Sequence, residues 1–219
     1  MKVGIDFSLN SPAMTIQYDG GMYKFFSFFN YSNDNFWERS KNGKMQKAFS
    51  IHKELDDLDY AEVRPYNRGV KSKEFLFRER EKLTDANFIS SLIIDILKNE
   101  IVSENYHISL EGFSYGSKGN SFIDMIQYNT FLRHKLLEEF DINKISFFQP
   151  SHVKKLAGKG NANKFFMINA FQEDVLNDKD LRNTELWNWI NNKDYSKKIP
   201  KPIDDIVDSY FILNCFKDT

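Results

Sequence analysis

The sequence predicts an α/β protein in which a mixed five-stranded sheet is flanked by helices and interrupted by two insertions. Three short apolar segments near the N-terminus predict neighbouring strands, and helical and strand patterns then alternate along the chain. The chain has 219 residues, of which 41% are hydrophobic, and this is enough to bury one substantial core. We therefore expect a single domain over residues 1–219, with insertions at about 31–83 and 174–200.

The first three strands are expected at 2–6, 14–18 and 22–29. The first of them is a short apolar run that ends in the carboxylate of Asp6. The second and third flank Asp19-Gly20-Gly21, which is a strong turn signal because glycines accept positive φ angles. Short connections of this kind favour antiparallel pairing of the three strands.

Beyond these strands the periodicity is less uniform. Residues 31–83 are rich in Asn, Ser and charged side chains, and only 45–58 indicates a helix. From Thr84, which can cap a helix, apolar residues recur at helical spacing as far as Leu97. The later elements are two strands and two long helices, expected at 107–113 (strand), 121–139 (helix), 144–150 (strand) and 203–216 (helix).

Charge and composition exclude several classes of protein. Thirty basic and thirty-one acidic side chains leave a net charge of −1, which excludes a uniformly basic nucleic-acid wrapper but allows a local basic patch. The single cysteine, Cys215, excludes an internal disulfide and a cysteine-based zinc site. No apolar run is long enough to span a membrane, and Asp6 stands where a signal peptide needs its apolar stretch. We expect a cytoplasmic protein with no membrane partner and no organic cofactor.

Four acidic residues are candidates for one site. Asp6 and Glu111 end apolar strands, where an unpaired buried carboxylate is costly. Asp205 and Asp208 are three residues apart on the last predicted helix and share a face, which Asp204 could also reach. Hard cations such as Mg²⁺ prefer oxygen ligands, and two ions about 3.5–4 Å apart stabilise a displacement at phosphorus. The set predicts a two-metal hydrolase, although each acid taken alone could be a loop cap or a helix N-terminal acid.

Four short motifs, taken together, resemble a known family. They are GID at 4–6, LEGF at 110–113, GKGNANK at 158–164 and DDIVDSYFI at 204–212. In this order they are similar to the RuvC-like Holliday junction resolvases of the RNase H-like superfamily. The resemblance covers roughly 1–30, 84–172 and 200–216, and it implies an RNase H-like fold.

The resemblance also implies the chemistry of the site. It implies two Mg²⁺ ions per active site, or Mn²⁺ in their place. The implied metal ligands are Asp6, Glu111, Asp205 and Asp208, and Asp6 is implied to bridge the two ions. It places a lysine near the scissile phosphate, here Lys164, and a base-contacting aromatic residue after the strand-end glutamate, here Phe113 or Tyr115. The activity implied is that of a homodimeric endonuclease cutting branched DNA. The Lys-, Asn- and Phe-rich composition suits a phage-type member acting in a host cytoplasm.

Basic residues near two glycine-containing loops are candidates for DNA binding. The segment 150–166 contains no acidic residue and carries Lys154, Lys155, Lys159 and Lys164. GSKGN at 116–120 adds Lys118 directly after the Glu111 strand, and Phe113 or Tyr115 could stack on an unpaired base. A solvated helix face and core packing are the alternative explanations of these lysines and aromatic rings.

Three other functions share some of these features. Another RNase H-like nuclease, acting on RNA–DNA hybrids or packaged phage DNA, would need the same acids. A non-catalytic DNA-binding module of the same fold would gain nothing from carboxylates near phosphate without metal ions. An actin-like or sugar-kinase ATPase also opens with a sequence such as GIDFS, but that class needs a longer, two-lobed chain and a second phosphate loop.

Overall fold

The computed structural model describes a mixed α/β architecture for residues 1–8, 11–30, 44–66, 74–113, 120–193, 195, 199 and 201–218. These residues form a six-stranded sheet with strands β1 (Lys2–Asp6), β2 (Ala13–Gln17), β3 (Tyr23–Asn30), β4 (Ala61–Tyr66), β5 (His107–Glu111) and β6 (Ile145–Phe148). The helices are α1 (Lys44–Asp56), α2 (Phe75–Glu100), α3 (Asn120–Glu139), α4 (Pro150–Leu156), α5 (Lys164–Asn177), α6 (Lys179–Arg182), α7 (Glu185–Asn191) and α8 (Ile203–Asn214). Short 3₁₀ turns are formed by Ile142–Lys144 and Cys215–Asp218.

The strand order β4-β3-β2-β1-β5-β6 places β1 near the middle of the sheet. β2 is antiparallel to both β1 and β3, which confirms the predicted antiparallel start of the chain. β5 is parallel to both β1 and β6. Parallel pairing brings the carboxyl ends of these three strands to the same edge of the sheet.

The sheet has one strand more than the five that the sequence predicts. The additional strand, β4, lies within the segment interpreted as an insertion, and it pairs in parallel with β3 at the edge of the sheet. Its sequence, AEVRPY, includes Pro65, which has no N–H for a ladder hydrogen bond and is confined to edge strands. Charged residues at 62 and 64 further weaken the strand pattern, so apolar periodicity does not reveal it.

The predicted helices occur in the predicted order, although one of them begins earlier than expected. In addition, α6 and α7 lie in the segment 174–200, which the sequence indicates only as a polar insertion. The helix expected to begin at Thr84 begins at Phe75, and Thr84 lies inside α2. The upstream residues, FLFREREKL, continue the helix, so the capping preference of threonine does not decide its start. The helices expected at 45–58 and 203–216 are confirmed as α1 and α8. In the part of the chain that the structure describes, no helix has the length and apolar character needed to cross a membrane.

Apolar side chains pack on both faces of the sheet. Val3 and Ile5 of β1 belong to a buried cluster with side chains of α2 and α3. On the opposite face, Ala13 of β2 and Phe25 of β3 belong to a second buried cluster with side chains of α5, α7 and α8. The sheet is therefore the middle layer of the molecule, and α8 covers its second face.

Gly4 allows α8 to lie directly against β1. A Cβ atom on Gly4 would overlap the backbone oxygen of Ser209 and the backbone nitrogen of Leu213, and it would lie 2.6 Å from the Cβ of Leu213. The hydroxyl oxygens of Thr15 and Ser209 are 2.7 Å apart in a buried hydrogen bond that ties α8 to β2. This close packing holds the first turns of α8 next to the end of β1.

Candidate active site

Two parallel strands bring Asp6 and Glu111 to the same edge of the sheet. In the register of β1 with β5, Ile5 is opposite Leu110, and the two acids are the next residues along their strands. Ile5 and Leu110 are buried on the face covered by α2 and α3. Because successive side chains of a strand point to opposite faces, Asp6 and Glu111 point to the face covered by α8.

α8 adds two further acids to this edge. Asp205 is buried in the first turn of the helix, and its Oδ2 accepts a hydrogen bond of 2.8 Å from Ser11 Oγ. Asp208 lies three residues farther on the same helix face. The charges of Asp205, Asp208 and Glu111 all act on the carboxyl group of Asp6. The structure therefore gathers the predicted acids from two strands and one helix into one electrostatic cluster.

Burial and mutual repulsion make these acids costly to ionise. Burial raises the pKa of Asp6 well above its ordinary value, and the charges of Asp205, Asp208 and Glu111 raise it further. Burial, followed by the charges of Asp205 and Glu111, raises the pKa of Asp208 to about 7. Burial also raises the pKa of Asp205 to about 6, although Lys201 opposes this rise. With every acid ionised, the cluster would carry more negative charge than the neighbouring lysines neutralise.

Two of the predicted lysines lie beside the acids. Burial raises the pKa of Glu111, and the charge of Lys154 on α4 opposes that rise. Burial likewise raises the pKa of Asp208, and the charge of Lys164 opposes it. Lys164, the first residue of α5, also forms an ion pair through its Nζ with Asp204 Oδ2. The ends of α4 and α5 thus supply positive charge next to the acidic cluster.

Two side chains of the cluster were not predicted from the sequence. Lys201 Nζ forms a hydrogen bond with Asp205 Oδ1 and lies 3.2 Å from Asp204 Oδ2. A lysine four residues before an aspartate is a recognisable pairing signal, but Lys201 precedes the helix itself. Ser11, the donor to Asp205, is separated from it by 194 residues, and no local pattern could reveal that contact.

The donor atoms of the cluster fit a hard divalent cation. All candidate ligands are carboxylate oxygens, which Mg²⁺ and Mn²⁺ prefer, and a cation would relieve the repulsion that raises their pKa values. Asp204 Oδ1 is in addition buried without a hydrogen-bond partner. Among the described residues, however, no three His, Cys, Asp or Glu side chains are arranged to hold one metal ion together. Both oxygens of Asp205 already bind protein groups, Ser11 on one and Lys201 on the other.

Of the two candidates for the base-contacting aromatic residue, Phe113 and Tyr115, the structure describes only Phe113. The ring centroid of Phe113 lies 4.2 Å from the guanidinium carbon of Arg133. Arg133 in turn donates a hydrogen bond of 3.2 Å to the backbone oxygen of Glu111. Phe113 is therefore held directly beside the strand end that carries the glutamate. Tyr115, the other candidate, and Lys118 lie outside the described residues.

The remaining predicted DNA contacts, Lys155 and Lys159, lie near the end of α4 and in the loop that follows it. Lys155 and Lys159 are exposed, and Lys159 Nζ is 4.4 Å from the ring centroid of Phe166. Gly158 has a φ angle of 112°, a conformation that L side chains rarely adopt. Lys155 and Lys159 extend the positive charge of Lys154 and Lys164 over the surface beside the acids.

Comparison with known proteins yields a similarity of fold. No protein-family model matches the chain, and no curated protein matches it. Three solved chains match, and one of them is the Thermus thermophilus RuvC structure, with a TM-score of 0.48 and 11% sequence identity. That similarity extends over 99% of this chain and 94% of the other. It concerns the overall fold alone.

Proposed function

We propose that this protein is a metal-dependent endonuclease that hydrolyses phosphodiester bonds in branched DNA, with Holliday junctions as its preferred substrate. The observation that supports this most directly is the convergence of acids from β1, β5 and α8, whose charges raise the pKa of Asp6 beyond the effect of burial. Clustered carboxylates repel the DNA backbone unless cations lie between them. A site built this way beside lysines suits phosphodiester hydrolysis better than simple DNA binding.

The ligands of the proposed site are the acids predicted from the sequence: Asp6, Glu111, Asp205 and Asp208. Two Mg²⁺ or Mn²⁺ ions bound there would activate water for attack at phosphorus and neutralise charge on the phosphate. Asp6 stands next to Glu111 across the β1–β5 pair and interacts with both acids of α8, which suits it to the bridging position.

Lysines and aromatic residues supply the proposed contacts to DNA. The side chain of Lys164 is 58% exposed while its ammonium group is held at the acidic cluster, so it can donate to a phosphate oxygen at the site. Lys154, Lys155 and Lys159 extend a phosphate-binding surface along α4 and the following loop. In this proposal Lys118 adds a further phosphate contact, and Phe113 or Tyr115 stacks on a base at the branch point.

The proposed assembly is a homodimer. A four-way junction has two-fold symmetry, so two copies related by the same symmetry could cut opposed strands together. The enzyme would act in the cytoplasm, which is the host cytoplasm for a phage-encoded protein. Size-exclusion chromatography with light scattering, with and without a synthetic junction, measures this assembly.

Cleavage assays test the proposal directly. The protein is incubated with a synthetic four-way junction, a linear duplex and an RNA–DNA hybrid, each with and without Mg²⁺. We expect the junction to be cut only with Mg²⁺. Asp6→Asn should reduce cutting by more than the roughly 10–100-fold loss typical of an outer-shell residue, while junction binding is kept because a repulsive charge is removed. Asp95→Asn, at an exposed position on α2, is the matched control and should cut normally.

The same assays separate the alternatives. Preference for the hybrid or the linear duplex would indicate another nuclease of this fold class. Junction binding without cleavage in either Mg²⁺ or Mn²⁺ would indicate a non-catalytic DNA-binding module. Cutting by Asp6→Asn at the wild-type rate would show that Asp6 is not a metal ligand, and the proposed site would be wrong.

A further inference from the structure

Lys201 binds the acid that is least available to a metal ion. Its Nζ forms a hydrogen bond with Asp205 Oδ1, and Ser11 Oγ donates to Asp205 Oδ2 at 2.8 Å. Every oxygen of this carboxylate is therefore engaged by a protein donor. A divalent cation on Oδ1 would share that atom with an ammonium group, and the two positive charges would repel each other.

The position of Lys201 distinguishes it from Lys164. Lys164 pairs with Asp204, which is not one of the proposed ligands. Lys201 pairs with Asp205 and lies 3.2 Å from Asp204 Oδ2, and its charge also lowers the pKa of Asp6 against burial and the neighbouring acids. A single ammonium group thus partly neutralises the region where a divalent cation is expected. The side chain of Lys201 is 42% exposed, so its ammonium group can move into solvent when it leaves Asp205.

We propose that Lys201 is a resident counter-ion of the acidic cluster, and that a divalent cation binds Asp205 only by displacing its ammonium group. This inference rests on the metal site of the proposed function and adds a residue that controls access to it. Lys201 is a positioning residue in this role, since it acts through Asp205. Two consequences of opposite sign follow: the lysine stabilises the metal-free protein, and it weakens the binding of the metal ion.

Metal titrations without DNA test this pair of consequences. Thermal unfolding is measured in EDTA and across a Mg²⁺ titration, and calorimetry gives the dissociation constant directly. Lys201→Met should unfold at a lower temperature in EDTA and should bind Mg²⁺ at least about fivefold more tightly than the wild type. Lys201→Arg keeps the positive charge and should stay close to the wild type. Lys98→Met removes an exposed lysine whose 2.8 Å ion pair with Glu139 is formed between α2 and α3, and this control should leave Mg²⁺ affinity unchanged.

A labelling experiment on the wild-type chain covers the case in which Lys201→Met does not fold. Amine acetylation at each lysine is quantified by peptide mass spectrometry with and without Mg²⁺. Labelling of Lys201 should rise with Mg²⁺ because its ammonium group leaves Asp205, while labelling of Lys98 stays constant. Unchanged or reduced labelling of Lys201 would overturn the displacement.

The outcomes separate this inference from the proposed function. If the wild type binds Mg²⁺ and Lys201→Met binds it with equal or lower affinity, the counter-ion role is wrong and the nuclease proposal stands. If Lys201→Met binds Mg²⁺ and the wild type does not, the competition is stronger than expected and the inference is supported. If neither protein binds Mg²⁺ or Mn²⁺, both the metal site and the role of Lys201 are wrong.

Discussion

The carboxyl group of Asp208 is costly to ionise in the folded protein. Burial, with the charges of Asp205 and Glu111, raises its pKa to about 7. Asparagine keeps the shape of the side chain and removes the charge. At about pH 8 without metal, Asp208→Asn should therefore raise the free energy of unfolding by at least about 1 kcal/mol. Because the same change removes a proposed ligand, it should also abolish stabilisation by Mg²⁺.

Thermal unfolding in EDTA and in Mg²⁺ measures both effects. Asp95→Asn, at an exposed position of α2, provides the control and should change neither result. A lower unfolding temperature for Asp208→Asn in EDTA would mean that Asp208 stabilises the folded chain through contacts that asparagine cannot make. The cost of ionising Asp208, which arises from burial and from the neighbouring acids, would then not be the dominant effect at this residue.

Individual residues of the site differ in how far the sequence can predict them. Asp6 and Glu111 stand out because each ends the apolar run of a predicted strand. A carboxylate in such a buried position costs free energy unless it is paired. Ser11 has no comparable signal, since its contact with Asp205 exists only after α8 has packed beside β1. Lys201 stands four residues before Asp205, but it precedes the helix, so its spacing alone does not predict the contact. The proposed ligands are therefore predictable from the sequence, whereas the groups that neutralise and orient Asp205 are not.

The packing of α8 on β1 depends on the missing side chain at Gly4. A methyl group there would overlap backbone atoms of Ser209 and Leu213. Backbone atoms of a packed helix cannot turn aside as a flexible side chain can, so Gly4→Ala should destabilise the protein by about 3 kcal/mol, at the upper end of ordinary overpacking. It should also weaken Mg²⁺ binding, because α8 carries two of the proposed ligands. Chemical denaturation and calorimetry measure these effects.

A double variant provides the control for Gly4→Ala. The added methyl group meets the backbone nitrogen of Leu213 as well as its Cβ, so shortening this side chain does not remove the overlap. Gly4→Ala combined with Leu213→Ala should therefore be no more stable than Gly4→Ala alone. Recovery of stability in the double variant would show that the helix position is set by side-chain packing and not by backbone approach.

Among the elements, those with a strong apolar period were predicted and those without one were not. β1, β5 and α8 carry the proposed ligands, and all three were expected from their sequences within a few residues. β4 was missed because Pro65 and two charged residues interrupt its pattern, while an edge position tolerates them. The predicted start of α2, at Thr84, is wrong. Threonine is a favourable N-cap residue, but the residues before Thr84 also form helix, so the helix continues through it. Neither error concerns an element that carries an acid of the site.

At the scale of the whole molecule, the acidic cluster sets the sign of the pH dependence of stability. The pKa values of Asp205 and Asp208 are raised to about 6 and about 7, and burial raises that of Asp6 in the same direction. The folded protein therefore holds protons on these groups that the unfolded chain has already lost. Burial lowers the pKa of His107, and this makes the folded protein less stable as the pH falls. His107 is a single group, whereas three acids act in the other direction.

The metal-free protein should consequently become more stable as the pH falls from about 8 to about 6, since the folded state binds more protons in this window. In saturating Mg²⁺ the protein should instead be more stable at about pH 8 than at about pH 6, because the cation binds deprotonated carboxylates and competes with protons for them. Calorimetric unfolding at both pH values, in EDTA and in Mg²⁺, measures the four unfolding temperatures. In Asp208→Asn the rise in EDTA should be smaller than in the wild type. A wild-type protein that is less stable at about pH 6 than at about pH 8 in EDTA would contradict the raised pKa values of these acids, and with them the electrostatic reason for expecting metal ions at this edge of the sheet.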